Sequence, residues 1–351
     1  MKPFILFISM ILIFKLSEGQ ISFINVEDNS KQAKSTTVEI LHRDLVKNLE
    51  SDTDKLKAFY HWITNNISYD VQAWRTQSND WKKQEVPVVL RNKKAVCHGY
   101  SNLFKQLCDL SGIPCFIVSG YVKENNTFIE EGHSWNAVYV DGQWQLIDAT
   151  WGAGSVENRS KFIRKFDASY FFTDPVVFLS NHYPFDPAFQ LVPFPVPLSE
   201  YKKNTWKYQS AESKTLYHFN DTLAAWTQLD SVSRRLAAAE RMVRMNPNDR
   251  EVKLEYSYAL TDAAFDASAK GQQLVNELYP ASGKSQTTAR RTTLPREIMI
   301  AKIDSALMYF QAADSIAKAI RPTEPDHKQE INNFRENLKH NADVLRRERS
   351  R

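Results

Sequence analysis

The sequence has no CxxC pair and no HExxH motif, and only three of its 351 residues are cysteines. Zinc fingers and metalloproteases need ligands at such spacings, so we expect no metal ion and no cofactor. The sequence also lacks a strong charge excess, because its net charge is +4 with 25% charged residues. A nucleic-acid-binding domain usually carries a concentrated basic face, and we therefore expect no nucleic-acid partner.

Beyond its first twenty residues the chain has no apolar run of the length that crosses a bilayer, which is about 20 residues. No integral membrane segment is expected. The first residues combine Lys2, an apolar run over residues 4–14 and small residues at 17–19. This order is typical of a secretory signal peptide. We predict a signal peptide over residues 1–19, a mature protein that begins at Gln20, and a secreted or periplasmic location.

The composition predicts a globular protein of more than one domain. Hydrophobic residues make up 42% of the chain and aromatic residues 12%, which is typical of folded domains. A change in composition near Leu198 divides the rest of the chain into a domain over residues 20–200 and an α-helical domain over residues 201–351. Helices broken at Asn246 and Pro247 weakly resemble tetratricopeptide hairpins. We expect the helical domain to bind a protein partner or to position a substrate.

Cys97 lies in the segment Ala-Val-Cys-His-Gly-Tyr-Ser, immediately before a helical pattern over residues 97–110. Cysteine attacks a carbonyl carbon as the thiolate, which is favoured by a helix N-terminus and by a nearby imidazolium. A structural cysteine is the alternative, but such residues usually lie within apolar runs. We therefore interpret Cys97 as a candidate nucleophile.

His133 and Asp148 lie in two consecutive strand patterns, which Asp141 and Gly142 separate. Asp-Gly between two alternating runs predicts a two-residue hairpin turn. In that register His133 and Asp148 share one face of the sheet, diagonally across the pair of strands. Taken singly, His133 is more typical of a strand end and Asp148 of a polar residue near a turn. Together they predict a base and the carboxylate that orients it.

These segments resemble the core of the transglutaminase-like superfamily. The resemblance implies a papain-like α+β fold with a Cys97-His133-Asp148 catalytic triad. Two downstream segments are similar to a tail in the subgroup with kyphoscoliosis-peptidase-like and Cyk3-like domains. The matching core segments are residues 96–101, 132–136 and 144–152, and the tail segments are residues 170–175 and 180–184.

The predicted fold class is α+β, a papain-like transglutaminase core with a C-terminal all-α domain. The resemblance implies acyl transfer through a Cys97 thioester on a protein or peptide substrate. Peptide or amide hydrolysis is the favoured outcome, and transamidation is the second. A non-catalytic peptide-binding or scaffold module that keeps the fold is the alternative. Papain-like relatives use an upstream glutamine as an oxyanion donor. The candidates are Gln72, Gln77 and Gln84, beside the backbone N–H of Cys97.

Cys108 and Cys115 flank a predicted helix stop and turn. They can form a disulfide if their Cα atoms approach within about 7 Å. The alternative is that both are small buried hydrophobic residues. The sequence favours the second interpretation.

Overall fold

The computed structural model describes residues 22–76, 81–205, 216–278, 295–320 and 325–350. The signal peptide expected over residues 1–19 lies outside these ranges and stays a prediction. Within the described ranges, no helix combines the length and the apolar character that crossing a membrane requires.

The described residues form two compact units. The first holds the described residues up to Ile117 and Val138–Thr173, and the second holds Val118–Ala137 and the described residues from Asp174 onward. Helices and a mixed set of strands make up the core, and the C-terminal region is helical. The expected α+β class is therefore confirmed, while the domain boundary near residue 200 stays a prediction.

Local sequence signals determine where the helices before the main sheet begin and end. Ser51 caps α3, because the backbone N–H of Asp54 donates to the Ser51 Oγ at 3.0 Å. This helix ends at Asn66, because Ile67 takes an extended conformation. The helices are α1 (Ile24–Gln32), α2 (Val38–Leu45), α3 (Asp52–Asn66), α4 (Val71–Arg75), α5 (Val86–Asn92) and α6 (Cys97–Leu110).

The predicted helix over residues 97–110 is present as α6. Gly112 follows it with a φ of +70°, the left-handed conformation that commonly ends a helix. Leu110 at the last turn is 42% exposed, whereas the core face of α6 is made by Leu103, Phe104 and Leu107, which are buried.

The strands form one five-stranded sheet in the order β8-β5-β4-β3-β9 and two small two-stranded sheets, β1-β2 and β6-β7. Asp141 and Gly142 connect β4 to β5 with φ values of 50° and 82°, which confirms the two-residue turn. The strands are β1 (Ser68–Tyr69), β2 (Lys94–Ala95), β3 (Cys115–Glu124), β4 (Thr127–Val140), β5 (Gln143–Ile147), β6 (Gly154–Glu157), β7 (Lys161–Arg164), β8 (Phe171–Thr173) and β9 (His182–Pro184).

The second unit combines β9 and neighbouring residues with long amphipathic helices. Gly271 in α11 allows close packing on α12, because a Cβ there would lie 2.8 Å from the Phe310 ring. The interior between α11, α12 and α13 is apolar. The helices are α7 (Pro175–Leu179), α8 (Leu198–Lys202), α9 (Phe219–Thr227), α10 (Ser231–Met245), α11 (Arg250–Leu278), α12 (Arg296–Ala319) and α13 (Pro325–Ser350).

Candidate active site

Cys97 is the first residue of α6, and it is half-buried. Val96 precedes it with an extended backbone (φ −88°, ψ 178°), and the Val96 carbonyl accepts a hydrogen bond from the Gly99 N–H at 2.9 Å. The first N–H groups of a helix have no intrahelical partners and favour a negative charge. Cys97 thus lies beside the N–H groups of the first turn of α6.

Gln84 is the glutamine that lies beside the cysteine segment. Its Oε1 accepts a hydrogen bond from the Val96 N–H at 3.1 Å, and its side chain is buried. A Cβ on Gly99 would lie 2.6 Å from this Oε1, so Gly99 leaves the room that Gln84 occupies. Of the other two candidates, Gln72 is exposed and Gln77 lies outside the described residues.

His133 lies on β4 and is 7% exposed. Its ring stacks on Trp135, with centroids 5.9 Å apart and an angle of 29° between the planes. The indole and the imidazole are two residues apart on one strand, which places both on the same face. The aromatic contact therefore restricts the orientation of the imidazole.

The sequence predicts that Asp148 lies within a strand. This prediction is wrong, because β5 ends at Ile147. The chain turns here, and the Asp148 Oδ1 accepts hydrogen bonds from the N–H groups of Thr150 at 2.7 Å and Trp151 at 3.1 Å. Aspartate commonly forms such turns with the backbone that follows it. Asp148 is 1% exposed, and these two bonds hold its carboxylate in a fixed orientation.

The three predicted triad residues do not all belong to one compact unit. Cys97 and Asp148 lie in the first unit, and His133 lies in the second. Within the second unit, His133 and His182 form a buried cluster in which the ring centroids are 5.6 Å apart. Histidines are common zinc ligands, so the expectation of no metal rests only on the missing sequence motifs. The assembly of the triad stays a prediction.

Sequence reasoning assigned no role to His182. It appeared only within the tail segment Ser-Asn-His-Tyr-Pro at residues 180–184. The available signal was a histidine next to aromatic and apolar residues, where burial of a polar ring requires a partner. Its proximity to His133 depends on the pairing of β9 with β3, which joins segments distant in sequence.

The other two cysteines are free and buried thiols. This outcome agrees with the favoured interpretation of small buried residues, and the alternative disulfide is not formed. Burial, with the neighbouring Cys115, raises the pKa of the Cys108 thiol well above its usual value. Such a thiol reacts slowly with electrophiles. Among the described cysteines, Cys97 is therefore the one suited to nucleophilic attack.

A cleft with a volume of about 740 Å³ lies along β1 and β2 in the first unit. It is lined by Tyr69 and Phe162 and by the cationic side chains of Arg75, Lys94 and Lys161. The volume is within the range of small-molecule and peptide side-chain sites. Because β2 ends two residues before Cys97, this cleft is close in sequence to the candidate nucleophile.

Comparison with known proteins finds similarity over part of the chain. Residues 40–149 match the transglutaminase-like superfamily. Human kyphoscoliosis peptidase is 35% identical over 181 residues, which cover 50% of this chain and 27% of that protein. The Lim and transglutaminase domain protein ltd-1 of Caenorhabditis elegans is 27% identical over 247 residues, 64% of this chain and 32% of that protein.

Cytokinesis protein 3 of Saccharomyces cerevisiae is 30% identical over 140 residues, which cover 37% of this chain and 16% of that protein. The chain thus spans less than a third of the length of each of these three relatives. The match includes the segments around Cys97 and His133 and extends to Asp148. Residues 40–149 thus match the transglutaminase-like superfamily, and parts of the chain are similar to kyphoscoliosis peptidase and to cytokinesis protein 3.

Proposed function

We propose that this chain is a transglutaminase-like cysteine enzyme that transfers an acyl group through a thioester on Cys97. The observation that carries the proposal is the position of Cys97 at the start of a helix, next to Val96, whose N–H donates a hydrogen bond to the buried Gln84 side chain. A histidine oriented by a carboxylate can accept a thiol proton and stabilise the resulting ion pair. The match of residues 40–149 to the transglutaminase-like superfamily supports the same chemistry.

In the proposed reaction, His133 takes the Sγ proton of Cys97, and the thiolate forms a C–S bond with the carbonyl carbon of a peptide or glutamine side chain. The C–N bond then breaks, and His133 returns the proton to the leaving amine. Asp148 holds the imidazolium in orientation throughout. The thioester is resolved by water, which completes hydrolysis, or by a second amine, which completes transamidation.

The developing oxyanion requires hydrogen-bond donors. We assign one to the backbone N–H of Cys97 and a second to the side-chain amide of Gln84. The Oε1 of Gln84 accepts from the Val96 N–H, so its Nε2 is the end of the amide that can donate. Hydrolysis is the favoured outcome, because a relative with 35% identity is named a peptidase.

The helical residues 201–351 carry none of the proposed chemistry. We propose that they position a protein substrate or bind a protein partner. Their helices are amphipathic, and large apolar side chains remain exposed on α11 and α12, including Phe265 and Met308. Exposed apolar residues on helices are common at sites of protein contact.

A peptide acyloxymethyl ketone tests the proposed nucleophile, because it alkylates an activated active-site thiol. We expect rapid labelling of the wild-type protein at Cys97 and none in Cys97→Ala. Cys108→Ala is the matched control and should label like the wild type, because its thiol is buried. Full labelling of folded Cys97→Ala would contradict the proposal and favour the non-catalytic binding module.

The acceptor is tested separately with a glutamine-containing peptide library, incubated with and without a primary amine. Release of shorter peptides or of ammonia without the amine indicates hydrolysis. Incorporation of the amine indicates transamidation. Both activities should be lost in Cys97→Ala and in His133→Ala, and the double variant should lose little more than either single variant because the two groups act as a unit.

A further inference from the structure

His182 is a polar ring in an aromatic environment. It lies on β9 with 0% exposure and stacks on Phe178, with centroids 4.0 Å apart and planes at 23°. Its Nδ1 lies 2.6 Å from the Oδ1 of Asn181. A buried imidazole destabilises a fold unless its nitrogens have partners, whereas an apolar ring would fill the same space without that requirement.

His182 also contacts the candidate base directly. The ring centroids of His133 and His182 are 5.6 Å apart with a 55° tilt, and Trp135 meets His182 edge to face at 5.2 Å. Since His133 stacks on Trp135 as well, the three rings form a mutually contacting set. The orientation of the His133 imidazole is therefore determined in part by His182.

The contact with Asn181 fixes the tautomer of His182. An amide Oδ1 only accepts hydrogen bonds, so the Nδ1 of His182 must carry the proton. The remaining nitrogen, Nε2, is then an acceptor in the neutral ring and a donor in the charged ring.

We propose that His182 is a positioning residue for His133. It holds the His133 ring in one orientation through the aromatic contacts, and its own ring is held by Phe178 and Asn181. The inference rests on the proposed function of Cys97 and His133. A well-oriented imidazolium stabilises the Cys97 thiolate, so His182 should influence the fraction of thiolate at a given pH.

The experiment is the pH profile of Cys97 alkylation by iodoacetamide, which needs no substrate. Rates are measured from pH 5 to 9, and the modified cysteine is identified by peptide mass spectrometry. His182→Phe keeps an aromatic ring and removes both nitrogens, and half-buried Asn181→Ala removes only the acceptor. His218→Phe is the matched control, because the same change is made at an exposed position.

We expect the wild type to react at pH 6 through an ion pair, and His182→Phe to react at least about threefold more slowly there with a profile shifted to higher pH. Asn181→Ala should shift the profile in the same direction by a smaller amount, and His218→Phe should match the wild type. If folded His182→Phe or folded Asn181→Ala shows the wild-type profile, the positioning role is overturned. If His182→Phe does not fold, Asn181→Ala decides the question.

Two further measurements distinguish the role of His182 from that of His133 and from metal binding. His133→Ala should abolish the reactivity of Cys97 at pH 6, and a His133→Ala variant that stays reactive would contradict the proposed function itself. If His133→Ala is unreactive but His182→Phe and Asn181→Ala keep the wild-type profile, only the role of His182 fails. Dialysis against EDTA should leave the wild-type profile unchanged, whereas a shift that added zinc reverses would assign the cluster to a metal ion and overturn the positioning role.

Discussion

At the scale of single residues, the turn after Asp148 fixes the orientation of the carboxylate that we propose to orient His133. Its Oδ1 is held by the N–H groups of Thr150 and Trp151, and these bonds define which oxygen remains for other partners. Its negative charge also contributes, after burial, to raising the pKa of Tyr60 well above its usual value. A neutral amide of the same shape would keep the turn and lose the charge.

Asp148→Asn is therefore expected to fold and to lose activity. The Asn Oδ1 can accept from the two backbone N–H groups, which leaves an amide NH₂ where His133 needs an acceptor. The wrong histidine tautomer should then lower kcat by on the order of 10³–10⁴. Steady-state kinetics on the best peptide from the library measures this loss, and thermal unfolding checks the fold. An Asp148→Asn variant with wild-type kcat would remove Asp148 from the proposed triad.

His42 gives a prediction for pH and stability. Burial, assisted by Lys55, lowers the pKa of this imidazole in the folded state, and its Nε2 lies 2.7 Å from the Ser111 Oγ. Below the unfolded-state pKa of about 6.5, the unfolded chain binds a proton that the folded chain does not. The free energy of unfolding should therefore fall as the pH falls through that value. Urea unfolding at pH 5.5 and 7.5 should show a smaller pH effect in His42→Gln, and an equal pH effect in both proteins would contradict the prediction.

At the scale of elements, the sequence predicted the parts whose signals are local. The cysteine helix α6 ends near Gly112, which takes a positive φ, and the hairpin turns at Asp141 and Gly142, where a positive φ is required. Helix α5 lacks such a local signal, because its Val-Pro-Val-Val sequence has β-branched residues of low helix propensity. Pro87 in the first turn is nevertheless compatible with a helix start.

The candidate site was predictable only in part, for a related reason. The segments around Cys97 and His133 carry motifs that can be recognised along the chain. The turn at Asp148 and the approach of His182 depend on tertiary contacts, such as the antiparallel pairing of Val122 with His182. Pairing between strands separated by such distances in sequence leaves no periodic signal.

The contact between α10 and the segment after β9 includes a buried ion pair. Arg241 donates through Nη2 to the Asp186 Oδ2 at 2.6 Å and through Nε to the Oδ1 at 3.0 Å, and Asp186 is 2% exposed. Loss of one partner leaves the other charge buried without compensation, which costs several kcal/mol. A surface pair has no such penalty.

Arg241→Ala should consequently lower the free energy of unfolding by about 3–5 kcal/mol. Arg346→Ala is the control, because its pair with Asp343 is exposed and should change stability by less than about 1 kcal/mol. Chemical denaturation of the three proteins provides the comparison. Equal stabilities for Arg241→Ala and Arg346→Ala would mean that the ion pair at Asp186 contributes no more than a surface pair.

At the scale of the whole molecule, polar contacts in the second unit join the helical region to the strands. The Asn246 Nδ2 donates to the Tyr183 hydroxyl at 2.9 Å, and its Oδ1 accepts from the Leu198 N–H at 3.0 Å. The Tyr121 hydroxyl donates to the Asp249 carboxylate at 3.1 Å. These bonds use residues between α10 and α11, and Tyr183 and Leu198 are buried.

The last prediction concerns a protein truncated after residue 205. Removal of the later helices would expose the apolar surface that they cover and would leave Asp186 and Tyr183 without their partners Arg241 and Asn246. Each buried group that loses its partner costs about 1–3 kcal/mol, and more when it is charged. We therefore expect the truncated protein to unfold at a much lower urea concentration than the full chain and to lose ketone labelling at Cys97 in proportion.

The measurement is a parallel urea titration, in which tryptophan fluorescence and Cys97 labelling follow each protein. Full-length Asn246→Ala is the control, because it removes the contacts of one side chain and keeps the helices. Its urea midpoint should lie between those of the wild type and the truncated protein. A truncated protein with the wild-type midpoint and full labelling would instead establish residues 201–351 as an independent domain. That result would also place the role of the helices in substrate or partner binding, since they would then contribute nothing to the stability of the domain that carries Cys97.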